Sequence, residues 1–172
     1  MNLREEILFE HSRKQTDRIV KWVGSNEKKF AELMNLFLKG EYRVTQRAAW
    51  SVCLCIEKKP LLAKPWLRKM ILKTQEKNIH DAVKRNVLKI FSEIEIPKTL
   101  YGIVANSCFG FLMNAGEPIA VRVHAMTVLT KIAQVETALK NELRIIVEDL
   151  IYHESAGIKA RGKKLLKELN KR

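Results

Sequence analysis

The chain has 172 residues, of which 47% are apolar and 30% are charged, so it can bury a sizeable hydrophobic core and is not intrinsically disordered. No run of about 18 apolar residues is present, and Glu5 and Glu6 interrupt the N-terminus, which argues against a membrane span and a signal peptide. We therefore expect a cytoplasmic protein. The net charge of +13 favours an anionic partner or serves solubility.

The helical segments are predicted from their apolar periodicity, in chain order. Residues 5–23 form one amphipathic stretch, which we expect to be a helix that caps the N-terminal end of the fold. Pairs of helices follow, and the first helix of each pair is predicted at residues 27–39, 61–76, 98–114 and 136–153. Pro65 falls inside the second of these ranges, so that helix either begins at Pro65 or opens with an irregular turn.

The second helix of each pair contains a segment that recurs about every 38 residues, starting at Thr45, Val83, Val121 and Ile158. Small or apolar residues stand at the first, fifth, eighth, ninth and twelfth positions of each segment, which places them on one face of an α-helix. We expect these residues to be buried: Thr45, Ala49, Val52, Cys53 and Ile56; Val83, Val87, Ile90, Phe91 and Ile94; Val121, Ala125, Val128, Leu129 and Ile132; Ile158, Gly162, Leu165, Leu166 and Leu169.

The repeat predicts an all-α protein of about nine helices. About four antiparallel helix pairs would stack into a right-handed α-α superhelix, with the N-terminal helix as a cap. We expect residues 1–172 to form a single α-solenoid domain.

Two of the recurring segments resemble the second helices of HEAT repeats, namely residues 120–129 (AVRVHAMTVL) and residues 82–91 (AVKRNVLKIF). Glu117 and Pro118 resemble the acidic-proline turn that joins the two helices of such a repeat. The likeness covers nearly the whole chain and is shared with armadillo-like repeats. It implies a curved stack whose second helices line the concave side, and a function in binding rather than catalysis.

More remotely, the chain is similar to HEAT-like bacterial DNA alkylation-repair proteins, and this likeness would imply a role with nucleic acid. Two positions depart from the HEAT pattern. Thr45 and Gln46 replace Val and Arg in one unit, and Gly162 replaces a small Ala in the last. A glycine inside a helix costs about 1 kcal/mol relative to alanine.

The faces opposite the buried positions, and one flanking column, are rich in basic side chains. The candidate partner- or phosphate-binding residues are Arg43, Arg47, Lys84, Arg85, Lys89, Arg122, Lys159, Lys163, Lys164 and Lys167. Ser51 and Leu54 share this face, and in the third unit Val123, Thr127 and Thr130 interrupt its charge. Phosphates along a duplex would favour an unbroken basic stripe. A second interpretation is that these cations form a ladder of ion pairs with carboxylates of neighbouring repeats.

The last helix is the most basic part of the chain. Its cations are Lys159, Arg161, Lys163, Lys164, Lys167, Lys171 and Arg172. The stretch is either a solvated capping helix, which terminal repeats need, or a docking site for phosphate or acidic protein.

Recognisable catalytic and metal motifs are absent from the sequence, which contains no HExxH, paired CxxC, GxxxxGK[ST] or GxGxxG pattern. We therefore expect no cofactor and no metal. Cys53 and Cys55 are turned about 200° apart on a helix, so with Cys108 they are expected to be free buried thiols. Asp81 and Arg85 are either a carboxylate–guanidinium pair of an active site or an ordinary helix N-terminal charge and its neighbour.

The leading hypothesis is a non-catalytic interaction module that binds a protein partner on its concave face. The alternative is a nucleic-acid-binding protein related to the alkylation-repair group, and an enzyme of unrecognised type is the weakest reading. We expect a monomer or a weak homodimer.

Overall fold

The computed structural model describes residues 1–170, which form helices and connecting turns with no β-strand in that range. The prediction of an all-α fold is confirmed. The described residues form ten α-helices where about nine were expected. They group into two compact units, Met1–Ile94 and residues 95–170. None of the described helices is long and apolar enough to cross a lipid bilayer.

The first unit contains six α-helices and one 3₁₀ segment. In chain order these are α1 (Leu3–Phe9), α2 (Arg13–Val23), α3 (Glu27–Lys39), α4 (Tyr42–Lys58), the 3₁₀ segment Pro60–Trp66, α5 (Leu67–Lys73) and α6 (Asp81–Glu93).

The prediction of one helix over residues 5–23 is wrong, because non-helical residues separate α1 from α2. Glu10 has extended backbone, with φ of −148° and ψ of 145°. Ser12 then starts a new helix, since its Oγ accepts the backbone N–H of Gln15 at 3.1 Å. A serine N-cap of this kind satisfies one of the amides that a helix start leaves without a partner.

Helix α4 is the centre of the first unit, because it packs against α1, α2, α3 and α6. Ser51 and Leu54 were expected on a free face of this helix, but they are buried, at 1% and 7% exposure. The physical reason is that contacts with four helices leave α4 almost no free face. Arg47 also faces inward, and its Nη1 donates to the backbone carbonyl of Leu8 at 2.7 Å.

The irregular turn expected near Pro65 is present as the 3₁₀ segment, and regular helix starts only at Leu67. Proline has no N–H to donate, and it disfavours helical backbone in the residue before it. At the next helix start, His80 caps α6, because its Nδ1 accepts the backbone N–H of Ala82 at 2.9 Å.

The second unit contains four α-helices, and a short 3₁₀ turn precedes the first of them. They are α7 (Tyr101–Met113), α8 (Ile119–Ala133), α9 (Leu139–His153) and α10 (Ala156–Leu169). Helix α8 packs against α7, α9 and α10, and α9 packs against α10. The apolar residues of α8 are therefore enclosed on several sides.

The repeating apolar positions behave as the periodicity predicts. All of them are buried except Leu166, which is half-buried. Gly162, the departure from the HEAT pattern, lies where α10 meets α9. A Cβ atom at this position would lie 2.7 Å from Ile151 Cγ2 and 3.1 Å from Val147 Cγ1. The glycine therefore allows α9 and α10 to approach each other closely.

Candidate binding surface of the second helices

The candidate cations of the first unit divide into exposed and engaged side chains. Arg43 on α4 and Arg85 on α6 are exposed, and neither forms an ion pair with any described residue. Lys89 is half-buried, and its Nζ lies 3.3 Å from Glu57 Oε2 and 3.7 Å from Glu93 Oε1. Lys89 therefore already has two carboxylate neighbours within the first unit.

Two further candidates of the first unit are partly withdrawn from the surface. Arg47 is half-buried and bonded to the carbonyl of Leu8, as described above. Lys84 is half-buried and engaged in an interaction within the chain. Arg43 and Arg85 are thus the two candidates of this unit that remain open to a partner.

Arg122 of α8 belongs to the interior, with only 3% of its surface exposed. Its Nε donates to the backbone carbonyl of Leu112 at 3.0 Å, and its Nη2 donates to Glu154 Oε1 at 2.7 Å. The hydrogen bond from Arg122 lowers the pKa of Glu154 below its ordinary value. Arg122 thereby joins the ends of α7 and α9 to α8, as the ladder interpretation expects, and is withdrawn from the candidate binding surface.

The last helix presents a cluster of cations to solvent. Lys163, Lys164 and Lys167 are exposed and form no ion pair with the described residues, whereas Lys159 is half-buried. Arg161 points elsewhere and is bonded to Glu168 and to Thr127 Oγ1 of α8. Lys171 and Arg172 of the predicted basic stretch lie outside the described residues.

Asp81 and Arg85 do not form an ion pair with each other in the described structure. Asp81 is the exposed first residue of α6, where a negative charge is favourable because of the helix dipole. The arrangement thus fits the interpretation of Asp81 as a helix N-terminal charge. No group of three His, Cys, Asp or Glu side chains within residues 1–170 is placed to hold a metal ion.

Apolar periodicity did not indicate the groove that lies within the second unit, between α7 and α9. Its lining includes Gly102 and Gly110, which lie eight residues apart on one face of α7. A pair of glycines on one face inside a helix is the only signal that could have pointed to it.

The three cysteines are buried free thiols, as predicted. Burial raises the pKa of Cys53 to about 11 and that of Cys55 to about 12, and it raises the pKa of Cys108 further. The reactive thiolate is therefore scarce at neutral pH.

We expect none of the three thiols to react with Ellman's reagent in the folded protein at pH 8, and all three to react in guanidinium chloride. Absorbance of the released thiol measures both conditions. Rapid reaction of even one thiol in the folded protein would contradict the burial of that cysteine.

A family model for the HEAT repeat domain matches residues 3–169. No curated protein and no solved structure gives a significant match to the chain. The remote likeness to alkylation-repair proteins gains no support from these comparisons.

Proposed function

Because the chain belongs to the HEAT repeat family, we propose that it is a non-catalytic interaction module that binds an acidic surface of a protein partner. HEAT repeats typically mediate protein interactions. The proposed contact surface is the exposed side of the second helices, on their concave face.

The observation that supports this proposal is the set of exposed cations without intramolecular partners. They are Arg43 and Arg85 in the first unit, and Lys163, Lys164 and Lys167 in the second. Cations without local carboxylates are available to pair with carboxylates of a partner, which guides association and fixes orientation.

Nucleic acid is the alternative partner, and the same exposed cations favour it. However, Arg122 is buried and Lys89 is paired with Glu57 and Glu93, so the candidates do not form an unbroken basic row within either unit. Separate small groups of cations suit the carboxylates of a folded protein better than the regular phosphates of a duplex.

Charge reversal tests the proposal. We expect Arg43→Glu with Arg85→Glu, and Lys163→Glu with Lys164→Glu, to weaken binding of the physiological partner about tenfold or more. The partner is identified by cross-linking and mass spectrometry with the wild-type chain, and affinities are then measured by calorimetry. The matched control is Lys21→Glu with Lys28→Glu, two exposed lysines outside the second helices.

The control variant is expected to bind like wild type, since its charge change is the same and only its position differs. If all variants, including the control, weakened partner binding equally, the loss would come from net charge alone and would contradict the proposed surface. Fluorescence anisotropy with labelled DNA and RNA tests the alternative that the partner is nucleic acid. Micromolar binding at physiological salt that is lost in Arg85→Glu would make nucleic acid the partner.

A further inference from the structure

The groove between α7 and α9 lies entirely within the second unit. Both helices pack against α8, and the space left between them has a volume of about 750 Å³. Its apolar lining includes Ala105 and Phe109 of α7 and Leu139 of α9. A space of this size with an apolar floor is large enough to receive side chains of another molecule.

Two glycines leave the α7 side of this groove without a side chain at two positions. Gly102 is the second residue of α7, and Gly110 stands inside the helix, where glycine is less favourable than any residue except proline. Beyond the adjacent residues and the backbone of α7 itself, a Cβ atom at either position would meet nothing within 4 Å, so the packing of the second unit does not require glycine there. At Gly162, by contrast, the close packing of α9 against α10 leaves no space for a side chain. The open space allows another backbone to come close to α7.

The α9 side of the groove carries negative charge. Glu136 and Glu142 line it, are exposed, and form no side-chain hydrogen bond or ion pair with the described residues. The two carboxylates outnumber the single cation of the groove lining, Lys98. They are complementary to a cationic occupant.

The groove suits a helix better than an extended segment. The backbone groups of α7 and α9 are bonded within their own helices, so they offer no partners to an extended peptide. Such a peptide would leave its own N–H and C=O groups unsatisfied on an apolar floor. An α-helix satisfies its backbone internally and presents only side chains.

We propose that the groove between α7 and α9 binds a basic amphipathic α-helix of a partner protein. Small and apolar side chains of that helix contact Gly102, Ala105 and Gly110, while its Lys or Arg side chains pair with Glu136 and Glu142. This site uses other helices and the opposite charge from the proposed acidic-partner surface, so either can fail without the other.

The test uses a synthetic peptide of about 18 residues, about 27 Å long as a helix. It is acetylated and amidated, with Ala and Leu on one face and Lys on both flanks. Calorimetry measures its affinity for the protein, and circular dichroism measures its helix content. A second peptide with Gln in place of Lys is expected to bind about tenfold more weakly.

Two groove variants and two controls locate the binding. Gly110→Leu fills the open space, and Glu136→Gln with Glu142→Gln removes the charge. Each is expected to weaken the Lys peptide about tenfold or more. The controls are Ala160→Leu, an exposed residue of α10, and Glu148→Gln, an exposed residue of α9 outside the groove lining. Both controls are expected to bind like wild type.

Gain of peptide helix content together with this pattern of affinities supports the proposal. No binding by the wild-type chain, or equal loss in groove variants and controls, overturns it. Binding without a gain of helix content overturns the helical occupant. Sedimentation equilibrium tests whether a second copy of the chain occupies the groove. A wild-type dimer that dissociates in Gly110→Leu would identify that copy as the occupant and overturn the proposed partner helix.

Discussion

Replacing Arg122 with alanine is expected to lower the free energy of unfolding by about 3 kcal/mol. The change removes a buried guanidinium that donates to the Leu112 carbonyl and to Glu154. Both acceptors then lose their donor, and the packed space of the side chain is left empty. Urea unfolding followed by circular dichroism measures the loss.

The matched control is Arg85→Ala, at an exposed cation of α6. Its effect on the free energy of unfolding is expected to stay within about 0.5 kcal/mol, because no intramolecular ion pair is lost. A similar loss in both variants would mean that the two bonds of Arg122 contribute little to stability.

The same ion pair predicts how stability changes with acid. Because the pKa of Glu154 is lowered in the folded protein, the unfolded chain binds more protons at this group. The stabilising contribution is complete above the ordinary carboxyl pKa of about 4.3 and is lost as the pH falls through the lowered value. The stability difference between wild type and Glu154→Gln should therefore shrink in acid.

Replacing Gly162 with leucine is expected to lower the free energy of unfolding by about 3 kcal/mol. The new side chain would overlap Ile151 and Val147, whose methyl groups already lie within 2.7 and 3.1 Å of a Cβ at this position. Helix α10 would have to move away from α9. Thermal and urea unfolding measure the effect.

Gly110→Leu is the matched control for this prediction, because it makes the same change inside another helix of the second unit. Beyond the adjacent residues and the backbone of α7 itself, nothing lies within 4 Å of a Cβ at Gly110, and leucine forms helix more readily than glycine. This variant is expected to be as stable as wild type or up to about 1 kcal/mol more stable. Destabilisation by Gly110→Leu as large as that of Gly162→Leu would contradict the close α9–α10 packing.

The periodic pattern was sufficient to locate most of the helices, but not always their ends: the helix expected at residues 61–76 is regular only over Leu67–Lys73. Helix α3 begins and ends as predicted, and the recurring segments lie on the buried faces of the second helices. The pattern failed at Ser12, because apolar periodicity continues across the break and only the serine cap reveals it. It also failed at Ser51 and Leu54, because the helices that cover them are distant in sequence.

The candidate binding residues could be predicted only as a list of basic side chains on one helix face. Whether a cation is free depends on partners that periodicity does not reveal. Arg122 is engaged by a backbone carbonyl at Leu112 and a carboxylate 32 residues away, and Arg47 by the carbonyl of Leu8. Periodicity along one helix contains no information about acceptors supplied by another helix.

The buried cysteines also make the stability of each unit separately measurable. Cys53 and Cys55 lie in α4 of the first unit, and Cys108 lies in α7 of the second. A thiol that reacts only when its surroundings open reports the free energy of that opening through its labelling rate. With Cys53→Ala and Cys55→Ala, labelling follows the second unit alone, and with Cys108→Ala it follows the first. The native thiols thus allow the free energy of local unfolding to be measured in each unit separately.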